Sequence, residues 1–264
     1  MDFKDKVALV TGGASGYGRA YCEELVRQGC KVAICDINNE AGEDLLRTLS
    51  KHGRERVIFC PCDVTDYPQF EEAFHTTISK LGGIDVVINN ASVMNDRLWE
   101  LEVDVNLIGT IRGTLLACQY VGKEGLGQGG VVVNVAGVGG IDPVPPAPTL
   151  SAAEHAIVGL SKSFGSNIHT SKSGIRVVCF CPGFTSTNFI KDLPRKGMTS
   201  YLGREFEILM NKSKRQGPDP CGHSVVHLIR HGDNGSVWVC EGAKLYCLNI
   251  PRRKAYSSLV AQYL

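Results

Sequence analysis

The chain has 264 residues, 43% of them hydrophobic, and its 28 Lys+Arg and 27 Asp+Glu residues leave a net charge of +1. This length suits one large α/β domain, and the balanced charge gives no strong field toward nucleic acid or an anionic membrane. No stretch is apolar enough for a signal peptide or a membrane span, so we expect a cytoplasmic protein without nucleic-acid or membrane partners.

The eleven cysteines are odd in number and contain no C-x-x-C pair. Most of them lie in apolar runs; Cys179 and Cys181, for example, flank Phe180 in a predicted strand. Buried, reduced thiols explain this pattern better than a disulfide framework or a zinc site. We therefore expect no bound metal.

A glycine-rich turn joins the first predicted strand, residues 7–10, to a predicted helix over residues 19–28. Such a turn leaves the first N–H groups of the helix free to bind a pyrophosphate, and glycines let the phosphates approach the backbone. The glycines are Gly12, Gly16 and Gly18, which differs in spacing from G-x-G-x-x-G. An ordinary tight turn is the alternative, but the strand–turn–helix context favours a dinucleotide site.

Asp36 ends the second apolar run, residues 32–35. A carboxylate there can accept hydrogen bonds from both ribose hydroxyls and would repel a 2′-phosphate. Residues 37–39 carry no charge. The sequence therefore favours NAD over NADP.

Strand-like and helix-like segments alternate along most of the chain. The further strands are predicted at residues 57–59, 84–89, 131–135, 175–180 and 236–240, and helical periodicity covers residues 39–52, 67–81, 98–122 and 150–172. This alternation predicts one α/β domain with a doubly wound, seven-stranded parallel sheet and helices on both faces.

The domain is predicted to span residues 1–249, and two segments break its alternation. The proline-rich residues 141–148 form a loop, and residues 185–217 form a lid; both are candidates to line a ligand site. Residues 250–264 form a tail, either on the surface or packed on a neighbouring subunit.

Five ordered motifs resemble those of the short-chain dehydrogenase/reductase family over roughly residues 5–245, most closely its hydroxyprostaglandin dehydrogenase-like and insect alcohol dehydrogenase-like subgroup. They are the T-G-x-x-x-G-x-G turn at residues 11–18, Asp63-Val64, Asn89-Asn90-Ala91, Asn106, and the turn at residues 182–187. In the family these motifs bind NAD(P), stabilise the sheet and, through the asparagine, anchor a water in the proton relay. The cofactor-binding residues that the resemblance implies are Gly12, Ser15, Gly16, Tyr17, Gly18, Asp36, Asp63, Val64, Asn90, Ala91, Pro182, Gly183, Thr185 and Thr187.

The family's three catalytic side chains are absent. At the register of its serine, tyrosine and lysine this chain has Gly137, Leu150 and Glu154, and only Asn106 of the catalytic set is retained. Leu150 cannot exchange a proton, and Glu154 reverses the charge that would acidify a phenol. The resemblance therefore implies a catalytically silent protein that keeps an NAD site.

Other interpretations stay open at this point. Glu154 could act as a base in an atypical NAD-dependent oxidoreductase acting on an apolar alcohol or ketone. Ser151 and His155 share a helix face, although that face is turned away from positions 150 and 154. A structural or storage-like protein without cofactor is a third possibility.

The resemblance also implies partners. Apolar residues in and beside the lid favour a small apolar ligand; they are Phe184, Phe189, Ile190, Leu193, Met198, Phe206, Ile208, Leu209 and Met210. The amphipathic helix from Ser151 resembles the family's dimer helix, so we expect a homodimer or homotetramer.

Overall fold

The computed structural model describes residues 1–53, 55–185 and 188–251, which form a sheet with helices on both faces. Its strands are β1 (Val7–Thr11), β2 (Lys31–Asp36), β3 (Val57–Pro61), β4 (Val86–Asn89), β5 (Gly130–Val135), β6 (Ile175–Pro182), β7 (Val237–Glu241) and β8 (Lys244–Leu248). Its helices are α1 (Gly16–Arg27), α2 (Asn39–Leu49), α3 (Tyr67–Leu81), α4 (Trp99–Val103), α5 (Gly109–Tyr120), α6 (Pro148–Phe164), α7 (Asn167–Ser173), α8 (Leu193–Lys196), α9 (Ser200–Lys212) and α10 (Asp219–His231).

The strand order is β3-β2-β1-β4-β5-β6-β7-β8, and every neighbouring pair from β3 to β7 is parallel. Strands β2 and β3 follow β1 toward one edge of the sheet, and strands β5 to β8 follow β4 toward the other edge. This reversal opens a crevice at the carboxyl ends of β1 and β4, where sheets of this class bind their ligands.

Alternating side chains of the strands supply two buried layers. In β1, Ala8 packs in the same cluster as Leu25 of α1 and Val225 of α10, whereas Leu9 packs with Phe70 of α3 and Leu116 of α5. All six side chains are fully buried. Because both faces are covered, the strands are apolar throughout, and the predicted doubly wound α/β class is confirmed.

All seven predicted parallel strands are present, as β1 to β7, but the sheet has in addition an eighth strand, β8, which is antiparallel to β7. The turn between them places both Gly242 and Ala243 at positive φ, 56° and 58°, the backbone of a two-residue hairpin. Gly-Ala is not the usual sequence of such a turn. In addition, β8 is largely exposed and lacks buried alternation, so its sequence gives little sign of a strand.

The helices also differ from the prediction at several places. A π-helical turn, Asp104–Ile108, separates α4 from α5, and a break after Phe164 separates α6 from α7. Helix α10 was not predicted, although it packs extensively on α1. The tail from residue 252 onward lies outside the described residues. Of the helices described, none combines the length and hydropathy needed to cross a membrane.

Candidate functional site

A cavity of about 520 Å³ lies at the carboxyl ends of the central strands. The predicted site residues that line it are Gly12, Ser15, Gly16, Tyr17, Asp36, Asp63, Val64, Asn90, Ala91, Gly137, Leu150, Glu154, Pro182, Gly183 and Thr185. Gly18 and Asn106 are not part of its wall. Thr187, together with residue 186, lies outside the described residues.

The glycine-rich turn has the shape that a phosphate group requires. Gly12 has a φ of +61°, which disfavours any residue with a Cβ. A Cβ on Gly18 would overlap the carbonyl group of Gly12 and lie 2.8 Å from Nδ2 of Asn90. The turn is therefore closed tightly against α1, whose N-terminus faces the cavity, and the residues fit a dinucleotide pyrophosphate.

Asp36 lines the cavity together with the glycine-rich turn, and two backbone N–H groups fix its carboxylate. Its Oδ2 accepts a hydrogen bond from Ala14 N at 2.9 Å, and its Oδ1 accepts one from Asn38 N at 2.9 Å. Each oxygen keeps a further acceptor position for a ribose hydroxyl. Among the described lining residues the one basic side chain is Lys196, which belongs to the lid rather than to this wall.

Asn90 links the end of β4 to the glycine-rich turn. Its Nδ2 donates to the carbonyl oxygens of Thr11 at 2.9 Å and Gly12 at 3.2 Å, while its backbone N–H donates to Oγ1 of Thr11. Its neighbour Asn89 donates to Oδ1 of Asn134 at 2.8 Å in the centre of the sheet. These buried amides hold β1, β4 and β5 in register below the cavity.

The three positions at which the resemblance expects a serine, a tyrosine and a lysine all line the cavity, as Gly137, Leu150 and Glu154. Leu150 is 4% exposed and belongs to the apolar cluster beneath the lid, with Phe206 and Met210. A Cβ on Gly137 would lie 2.7 Å from both Cδ and Oε2 of Glu154, and closer still to Oε1. The carboxylate thus occupies the space that a serine side chain would need.

Glu154 lies against the turn at residues 137–140. Burial raises the pKa of Glu154 to about 8, and the backbone N–H groups of Gly139 and Gly140 oppose this by favouring the charged form. A carboxyl group with this pKa exchanges its proton near neutral pH. Its side chain therefore carries an exchangeable proton, unlike those of Leu150 and Gly137.

Asn106 lies behind the cavity wall, in the π-helical turn. Its Oδ1 accepts from Val93 N and its Nδ2 donates to Val93 O, both at 2.8 Å. Its side chain therefore holds the loop after β4 directly. This arrangement gives the retained asparagine a structural role.

Two buried acidic side chains were missed by sequence reasoning. Asp96 accepts hydrogen bonds from the backbone N–H groups of Thr149 and Leu150, and so caps the first turn of α6. Burial, assisted by Asp96, raises the pKa of Glu102 to about 8. The capping aspartate lies more than fifty residues before its helix, so no local signal could have identified it.

The lid is described for residue 185 and from residue 188 onward. Leu193, Phe206 and Met210 are buried beneath it, whereas Met198 and Ile208 are 45% and 44% exposed. Of the apolar residues predicted in and beside the lid, five line the cavity: Phe184, Phe189, Ile190, Phe206 and Met210. Leu193, Met198, Ile208 and Leu209 do not line it.

Two polar side chains that sequence reasoning did not assign to these roles hold the base of the lid. Gln216 N donates to Phe184 O at 3.1 Å, and its Nε2 donates to Cys240 O at 2.8 Å. The hydroxyl of Tyr17 donates to Gly183 O at 2.7 Å, which ties the glycine-rich turn to the start of the lid.

Ser151 and His155 do not form a nucleophile–base pair. The Ser151 hydroxyl donates to Ala147 O at 2.9 Å and accepts from Val144 N at 2.9 Å. His155 instead contacts the backbone oxygen of Ser151 through Nδ1 at 2.8 Å. Both side chains therefore contact backbone atoms at or near the start of α6.

Comparisons with known proteins agree with this geometry. A family model described as short chain dehydrogenase matches residues 6–197. The chain is 36% identical to 15-hydroxyprostaglandin dehydrogenase [NAD(+)] of Mus musculus, over 92% of this chain and 93% of that one. It is 30% identical to alcohol dehydrogenase 2 of Ceratitis cosyra, over 93% and 95% of the two chains. A short-chain dehydrogenase/reductase from Burkholderia phymatum, solved in complex with NAD, has the same fold with a TM-score of 0.80 at 20% identity, covering 90% of each chain.

Proposed function

Because the chain belongs to the short-chain dehydrogenase family, we propose that it binds NAD(H) and an apolar ligand while its hydride transfer is greatly weakened. The observation that carries this proposal is the set Gly137, Leu150 and Glu154 on one cavity wall. The glycine-rich turn and Asp36 support the proposed binding of NAD(H). The apolar cluster that includes Leu150, Phe206 and Met210 supports the proposed binding of an apolar ligand.

The weakened chemistry follows from the proton that must move with the hydride. Bound NAD supplies the hydride acceptor, but an alcohol must also lose its hydroxyl proton. Neither Leu150 nor Gly137 carries a side-chain group that can take that proton or polarise the oxygen. General acid–base help contributes about 10²- to 10⁴-fold to such rates. A chain without this help would serve as a binding, carrier or sensor protein.

The proposal is tested by titrating the protein with NADH and following nicotinamide fluorescence, with NADPH in parallel. We expect saturable binding of NADH and at least about tenfold weaker binding of NADPH, because Asp36 repels a 2′-phosphate. Asp36→Ala should reduce this preference, whereas Asp44→Ala, which removes an exposed carboxylate of α2, should leave it unchanged. Absence of NADH binding would overturn the proposal and favour a structural role without cofactor.

A second candidate is an atypical oxidoreductase in which Glu154 accepts the proton. Its specific support is the pKa of Glu154, raised by burial to about 8, and the similar proteins above are named as dehydrogenases. A base must be deprotonated to act, so turnover of a long-chain alcohol should rise from pH 6.5 through pH 8 and level off above about pH 9. Glu154→Gln should abolish that turnover; unchanged turnover in this variant would exclude Glu154 as the base.

We propose further that the protein is cytoplasmic and self-associates as a dimer or tetramer. Support for self-association comes from exposed apolar side chains beside a second, smaller cavity between α5 and α7. Leu115 is 50% exposed and Ile168 is 73% exposed, and both line that cavity. Burying such residues against a second copy would remove apolar surface from water.

A further inference from the structure

The Glu154 carboxylate brings a negative charge to the end of the cavity opposite Asp36. Gly183 and Thr185 belong to the turn at residues 182–187, whose threonine faces the nicotinamide in the family that the chain resembles, and both line the cavity together with Glu154. The space left by Gly137 and Gly139 allows the carboxylate to lie against the cavity wall. Its position is therefore set by the backbone of the turn.

No cation compensates this charge within the described residues. The ion pairs found there do not include Glu154. Lys196 also lines the cavity, but its Nζ donates to Phe189 O, and it is absent from the groups that shift the pKa of Glu154.

The titratable groups facing Glu154 are neutral or acidic. They are the Tyr17 phenol, the Cys181 thiol and the Glu102 carboxyl, whose pKa values the charge on Glu154 raises, together with Asp96 beside Glu102. The field at this end of the cavity is therefore negative whenever Glu154 is ionised.

We propose that Glu154 makes this site prefer the oxidised, positively charged nicotinamide ring over the reduced, neutral ring. The inference rests on the proposed NAD(H) binding. The two forms of the cofactor share the adenosine and pyrophosphate groups and differ by one positive charge on the ring. A carboxylate in a partly dry cavity attracts that charge, whereas the lysine of the family's pattern would repel it. The protein would then report the oxidation state of the cofactor.

The preference for NAD⁺ over NADH should increase as the pH rises. Burial raises the pKa of Glu154 to about 8, so the group is mostly protonated at pH 6.5 and mostly ionised at pH 9. Since the cationic ring binds the ionised form better, affinity for NAD⁺ should rise with pH, and NAD⁺ binding at pH 7 should release a proton. NADH has no ring charge and should show neither effect.

The test measures the dissociation constants of NAD⁺ and NADH at pH 6.5, 7.5 and 9. We expect the ratio of the NADH constant to the NAD⁺ constant to rise about tenfold over this range. In Glu154→Gln the ratio should be independent of pH and about tenfold lower at pH 9. Asp142→Asn, which removes an exposed carboxylate near the same turn, should behave as the native chain.

Calorimetry of the native protein gives a second readout that needs no variant. Titration at pH 7 in phosphate and in Tris should show proton release on binding NAD⁺ and none on binding NADH. If both nucleotides bind with a pH-independent ratio and no difference in proton release, this inference fails and the proposed function stands. If neither nucleotide binds, both fail.

Discussion

Changing Gly137→Ser, Leu150→Tyr and Glu154→Lys together should raise NAD-dependent oxidation of a long-chain secondary alcohol at least about 100-fold above the native chain. The tyrosine would take the hydroxyl proton, and the lysine, one helical turn later on the same face of α6, would lower the pKa of the phenol. The serine would polarise the substrate oxygen from the end of β5. All three positions already line the cavity, so no new backbone arrangement is required.

The initial rate of NADH formation measures this effect. The three double variants are the matched controls, and each should stay close to the native rate because the groups act as a unit. A triple variant that binds NADH but is no faster than the native chain would show that the apolar half of the cavity does not position an alcohol for hydride transfer.

Gly137→Ser alone should destabilise the protein by about 1 kcal/mol, and much less when Glu154 is also changed to alanine. The reason is steric, because a Cβ at position 137 would lie 2.7 Å from Oε2 of Glu154. With the carboxylate removed, that space is free. The two positions should therefore show a coupling free energy of about 1 kcal/mol in a double-mutant cycle.

Urea unfolding of the four variants in the cycle gives the required free energies. Gly159→Ser is the matched control, since Gly159 lies in α6, the helix that carries Glu154, and a Cβ at position 159 would meet nothing within 4 Å. This substitution should change the free energy of unfolding little, whether residue 154 is glutamate or alanine. An equal cost of Gly137→Ser with and without Glu154 would contradict the coupling.

This coupling shows where sequence reasoning ends. The order and spacing of motifs predicted that positions 137, 150 and 154 lie together at the carboxyl ends of the strands, and all three line the cavity. From spacing alone, Gly137 and Glu154 are two unrelated departures from the family's pattern. The structure shows instead that the glycine provides the room that the carboxylate fills, a relation between side chains that no local pattern encodes.

The same limit explains the other differences. Continuous runs of apolar residues predicted β1 to β7, since these strands are largely buried on both faces. The capping of α6 by Asp96 and the contact of Asn106 with Val93 depend on tertiary contacts. The sequence therefore predicted which residues surround the cavity, but not which of them position one another.

The hairpin formed by β7 and β8 protects one end of the sheet from aggregation. Without β8, the apolar strand β7, in which Val237, Val239 and Cys240 are buried, would present its unpaired backbone groups as an open edge. Such an edge invites pairing with another copy of the chain. Strand β8 is short, begins with the exposed Lys244 and is joined to β7 by a tight turn. It therefore replaces an apolar edge with a largely exposed one that carries a charged residue and is a poorer template for strand addition.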